Sequence, residues 1–238
     1  MVGWDPAVAS EDAYSLFYNR SLAMGWLTTG RKGAPAGFWG MNDAALDLNS
    51  DSQPPRVAWF QVGLTEPIPA GRSLPVQAFL ACVDDVVARM GSLRLEAIRV
   101  LLPLHSLPTP PDDGAIGSYG WFADADPRRR TRVRVTLDGG QDPTIRAAAP
   151  EMLRWMQQRI QVVFRCDSFS LADDDAVFLQ PEMTDGLWPP AQHRVTFRGT
   201  LAEWSLDALG WLAAFLADAA SRHGVTNPLM LTACRDGG

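Results

Sequence analysis

Residues 193–235, HRVTFRGTLAEWSLDALGWLAAFLADAASRHGVTNPLMLTACR, decide the fold class. From His193 to Leu201 polarity alternates: Val195 and Phe197 fall on one face of an extended chain, and Arg194, Thr196 and Arg198 on the other. Ser205 then offers an N-cap hydroxyl, and Leu206, Leu209, Leu212, Ala213, Leu216 and Ala220 recur at helical spacing until Gly224. Leu229 to Cys234 returns to an apolar, strand-like run. The reading is strand, helix, strand.

The same order is written once before. Arg56 to Leu64 (RVAWFQVGL) is rich in β-branched and aromatic residues, Ser73 and Pro75 open a helix, and Gly91 stops it. Val76, Phe79, Leu80, Val83, Val87 and Met90 mark the buried face of that helix, and Leu95 to Leu102 follows as a strand. Between the two copies, Arg130 to Leu137 alternates cleanly, Pro150 to Gln158 reads as a short helix, and Ile160 to Leu171 as a strand. Near the start, Tyr14 to Tyr18 and Leu22 to Thr29 read as a hairpin, and the proline-dense stretch Pro103 to Gly114 as a linker. The expectation is an α+β protein of mostly antiparallel sheets with about three helices, carrying an internal duplication of a strand-helix-strand, ferredoxin-like unit. Residues 1–112 form the first half and 113–238 the second, either as a pseudo-repeat or as one continuous domain.

Composition bounds the function classes. With 238 residues, 47% hydrophobic and 20% charged, the chain can build a real core and is not a disordered segment. The apolar run Leu209 to Ala217 is far short of the ~20 residues that span a bilayer, and the amino terminus lacks the basic start and apolar stretch of a secretory signal. A soluble, cytoplasmic protein without a membrane partner is expected. The net charge of -6, with neither half basic, argues against a nucleic-acid partner. Lys32 is the only lysine; with so much Ala and Gly, that skew fits a GC-rich bacterial genome. Cys82, Cys166 and Cys234 are odd in number and far apart, which suits buried free thiols in a reducing compartment.

The chain carries no established catalytic signature. P-loop, dinucleotide fingerprint, nucleophile elbow, H-E-x-x-H and C-x-x-C are all missing, so no cofactor or metal is expected. His105, His193 and His223 stand in three unrelated contexts, and the last suits a helix C-terminus. Asp124-Ala125-Asp126 and Asp173-Asp174-Asp175 lack the calcium-loop pattern and read as solvated turns. Gly30 to Gly40, with Arg31 and Lys32, reads as a flexible connection or a weak anion cradle. Two features stand out. The chain has 9 tryptophans against 3 tyrosines, and Trp39, Trp121 and Trp188 sit among turn-formers, where indoles either pave a groove or cover the sheet ends. The second is Arg128 to Val135: on a strand, Arg130, Arg132 and Arg134 share one face at a spacing of roughly 7 Å, a stripe suited to carboxylates or phosphates or simply to water.

Two readings follow. The first is a non-catalytic protein holding a peptide or small organic ligand on Arg130, Arg132, Arg134, Trp39, Trp121 and Trp188, with a peptide adding as a strand to an open edge. The alternative is a cofactor-independent cyclase or isomerase using a His or carboxylate as acid-base. The paired units 56–102 and 193–235, the missing catalytic set and the loop indoles together resemble the peptide-binding accessory proteins of ribosomal peptide (crocagin-type) biosynthesis. That resemblance implies binding of a precursor peptide in natural-product biosynthesis and its presentation to a partner enzyme; a homodimer is compatible with it.

Overall fold

The computed structural model describes residues 12–30, 36–46, 58–64, 67–107, 120–177, 179, 188 and 192–236. Arg31, Lys32, most of the proline-dense stretch and the 112/113 boundary lie outside the described residues. In chain order the elements are α1 (Ala13–Ala23), β1 (Trp39–Leu46), β2 (Ala58–Leu64), α2 (Val76–Met90), β3 (Ala97–Leu102), β4 (Thr131–Asp138), α3 (Thr144–Gln158), β5 (Phe164–Ser170), β6 (Arg194–Leu201), α4 (Leu206–Arg222) and β7 (Leu229–Arg235). The class is α+β, with four α-helices among the described residues.

Two antiparallel sheets form: β1 with β2, and a five-stranded sheet in the order β3-β7-β4-β6-β5. From β4 onward the chain runs β-α-β-β-α-β, and its strands take the order β7-β4-β6-β5. That is the split βαβ arrangement of ferredoxin-like units. The expected first copy does not repeat it: β2 pairs with β1 in the small sheet, while β3 is hydrogen-bonded to β7 on the edge of the large one. Strand-helix-strand order thus recurs without recurrence of the closed unit.

Alternation on β4 and β6 sends Val133, Val135, Leu137, Val195, Phe197 and Leu201 to one face, where they are fully buried with residues of α3 and α4. Every residue of α4 from Ala208 to Ala220 is buried. The sequence expectation of a single apolar stripe is too narrow, because α2 and α3 pack against α4 as well as the sheet. Ser205 caps α4 as expected, accepting from the Ala208 N–H at 3.1 Å. Ser73, expected to cap α2, instead donates to Asp218 of α4 at 2.8 Å, and α2 begins after Pro75 without a side-chain cap.

The segment read as an N-terminal hairpin is partly helix. Asp12 accepts from the Ser15 N–H at 2.7 Å and opens α1, whose Ala13, Phe17 and Ser21 are buried. Phe17 joins Leu27, Trp39, Cys82 and Val86 in a second, smaller core between α1, the β1–β2 hairpin and α2. Helix α3 starts at Thr144 rather than near Pro150, which lies inside it on an exposed face.

Candidate functional site

The face of the five-stranded sheet away from the helices is polar, and register lays it out in rows. Cross-strand partners share a face, so Asp138 and Arg194 form one row, Thr136, Thr196 and Thr232 the next, Arg134 and Arg198 a third, and Arg132, Thr200 and Arg165 a fourth.

In the first and third rows the charges are paired within the fold, and in the second two threonine hydroxyls bond each other. Arg194 Nε lies 3.3 Å from Asp138 Oδ2. The hydroxyls of Thr136 and Thr196 are buried and hydrogen-bonded at 2.9 Å. Arg134 Nε stands 2.9 Å from Asp236 Oδ1, an ion pair without hydrogen-bond alignment, and Arg198 pairs with Asp175 and reaches Asp236 at 3.6 Å. Beyond β5 the chain turns back over these rows as a strap. The Val177 N–H donates to Thr136 Oγ1 at 2.8 Å, Asp175 holds Arg198, and Arg99 of β3 donates to the Leu179 carbonyl. Asp175 is held below the usual carboxylate range first by Ser170, then by Arg198.

The fourth row differs. Arg132 in β4 and Arg165 in β5 both oppose Thr200 of β6, and both guanidinium-bearing residues are exposed. Among the described residues neither side chain has an ion-pair or hydrogen-bond partner. Arg130 stands behind the row: its Nη1 donates to the Thr200 carbonyl at 3.3 Å and to Thr200 Oγ1 at 3.1 Å, and its Nη2 donates to the Val162 carbonyl. Burial and then the neighbouring Arg165 guanidinium lower the Arg130 pKa, so a positive potential exists at this corner.

The six residues expected to bind ligand therefore separate. Arg132 has no partner among the described residues, Arg134 is neutralised by Asp236, and Arg130 ties the start of β4 to β6 and to the approach of β5. Trp39 is not a groove wall: it is fully buried, packed on Phe17, Trp26 and Phe79, with its indole N–H donated to Ser21 Oγ at 3.3 Å. Trp121 is 74% exposed on a 3-10 turn that the buried Phe122 anchors. The Trp188 indole nitrogen is buried with no hydrogen-bond partner among the described residues, and its chain neighbours lie outside them. Arg165 was missed by sequence reasoning, although its place between Phe164 and Cys166 in an alternating run carried the signal.

The edge beside the row is closed to strand addition. The side chain of Gln161 donates to the Phe164 carbonyl and accepts from the Phe164 N–H at 2.9 Å, while Gln157 donates to the Cys166 carbonyl at 3.2 Å. Two glutamines thus occupy the outward backbone of β5 as a neighbouring strand would. Cys82 and Cys166 are buried free thiols and Cys234 is half-buried; burial pushes the Cys166 thiol up to about 12. No protein-family model matches the chain, and neither curated proteins nor solved structures give a match.

Proposed function

We propose that this is a non-catalytic binding protein that holds a small organic ligand by an anionic group on the Arg132–Thr200–Arg165 row. One observation carries the reading: two exposed guanidiniums flank a hydroxyl with no acid among the described residues to neutralise them, one row away from arginines that the chain does neutralise with Asp236 and Asp175. Like charges held side by side repel, and a ligand anion removes that cost. A precursor peptide, the ligand implied by the resemblance to crocagin-type accessory proteins, remains compatible only through an acidic side chain or carboxyl terminus at this row. The Gln157 and Gln161 side chains stand where its backbone would pair with Phe164 and Cys166 of β5.

The test is calorimetric titration of inorganic phosphate, citrate and a tetraglutamate peptide into wild type and into Arg132→Gln/Arg165→Gln, at low and at physiological salt. At least one probe should bind wild type, weaken as salt rises, and lose about tenfold or more in the double variant. Each probe should be recovered unaltered by NMR after prolonged incubation. Absence of binding by all three probes, or equal affinity in the folded variant, removes the proposal; chemical turnover of a probe replaces it with the enzyme reading.

A further inference from the structure

We infer that the group held on the Arg132–Thr200–Arg165 row is a single phosphoryl dianion, a phosphate monoester; the inference rests on the anion-binding reading above and names its ligand chemistry. The number and direction of donors decide it. Strands lie ~4.8 Å apart, so Arg132 and Arg165 rise from points ~10 Å apart on either side of Thr200. From there their side chains can reach an anion above Thr200 from opposite flanks. The Thr200 oxygen already accepts from Arg130, and among the described residues its own hydrogen has no acceptor, so the floor of the site also donates.

A carboxylate presents two oxygens in one plane, and the fork of a single guanidinium engages both; a second arginine on the opposite flank meets only the remaining in-plane lone pairs. A phosphoryl group presents three oxygens in three directions and carries about -1.5 to -2 charges at pH 7. That matches two flanking guanidiniums and one hydroxyl in both geometry and charge. The third cation, Arg130, is spent on the Thr200 and Val162 carbonyls but adds to the local potential, which favours a dianion over a monoanion. The site is also one phosphate deep. The next row is occupied by Asp236 and Asp175 on Arg134 and Arg198, so a second phosphate would meet carboxylates. The same acids disfavour a polyphosphate or nucleic-acid backbone extending in that direction.

The experiment is titration of phenyl phosphate, benzoate, glutarate and an Ala-phosphoserine-Ala peptide into the full chain, followed by calorimetry and by ³¹P shifts where phosphorus is present. The proteins are wild type, Arg132→Gln, Arg165→Gln, Thr200→Val and, as a control remote from the row, Arg94→Gln. Phenyl phosphate should bind at pH 7.5 and about tenfold more weakly at pH 5.0, where a monoester with its second pKa near 6 is mostly a monoanion. Each single Gln variant should lose about tenfold or more and Thr200→Val several-fold, with Arg94→Gln unchanged. Benzoate should show no saturable binding. Preference for the phosphopeptide or for phenyl phosphate supports the phosphoryl assignment either way and tells a peptide source from a small-molecule one. Glutarate binding as tightly as phenyl phosphate, through the same arginines, overturns the phosphoryl assignment while the anion-binding reading stands. Failure of every probe, or binding indifferent to Arg132 and Arg165, overturns both.

Discussion

Asp218 lies within α4, only 2% exposed, with Oδ2 accepting from Ser73 and Oδ1 without a hydrogen-bond partner among the described residues. Burial pushes its pKa up to about 7, outweighing Ser73 and the Arg222 charge, which act in the opposite direction. An unfolded-state aspartate titrates near 3.9. Between about pH 4 and 7 the native protein therefore binds the extra proton, so this residue favours folding at low pH and loses that contribution as pH rises through about 7. At ~1.4 kcal/mol per pH unit the whole window amounts to roughly 4 kcal/mol as an upper figure. Asp218→Asn keeps an acceptor for Ser73 and carries no charge. Its melting temperature should exceed wild type by a margin that grows from pH 5 to pH 8; a margin independent of pH would refute the buried-proton account. The same pair shows where a sequence is opaque at this scale. Ser73 before Pro75 looks like a cap, and its true partner is an acid 145 positions away. Trp39 between glycines looks like a loop indole, yet Ser21 and Phe17 of α1 draw it inside.

Helices α2 and α4 touch through backbone. A Cβ at Gly210 would stand 2.7 Å from Gln77 Cα and 3.2 Å from the Val76 carbonyl, so the helices meet only because residue 210 has no side chain. Gln77 donates to Asp207 at 2.8 Å across the same contact. Gly210→Ala raises helix propensity by ~1 kcal/mol but forces the helices apart, which costs ~1–3 kcal/mol in a packed core. The variant should unfold at lower urea concentration than wild type with an unchanged slope; a rise in midpoint would show that the contact gives way freely. The strands 97–102, 131–138, 194–201 and 229–235 stand within two residues of their expected bounds, the middle two marked by alternation and the last by an unbroken buried run from Leu229 to Ala233. Helix α1 was not legible, because Tyr14, Tyr18 and Leu22 stay exposed on its outer side and blur the period set by Ala13, Phe17 and Ser21. Helix α3 was truncated in the reading by Pro150, which the fold accommodates on an exposed face where water can take up the freed Arg146 carbonyl.

Across the whole molecule, alternation and spacing reveal the class but not strand order, because order depends on pairings between distant segments. The free row at Thr200 was half legible for that reason: Arg132 and Arg165 come from strands separated by α3, and only the placement of β6 between them makes them neighbours. The same ordering puts β7 between β3 and β4. Removing residues 229–238 should leave β3 with no sheet to join and expose Val135 and Leu137 at a new edge. That truncated chain should lack a cooperative thermal transition, and a synthetic peptide of residues 225–236 supplied in trans should restore near-UV circular dichroism. A sharp transition in the truncated chain alone would contradict the arrangement. A ribosome makes β3 more than a hundred residues before it makes the strand that receives it. Until residues 229–235 clear the exit tunnel, the nascent chain holds α2 with its inner face uncovered and an unpaired β3. β4, β5 and β6 can pair as they emerge, whereas β3 joins the sheet only in a late event, once β7 is in place.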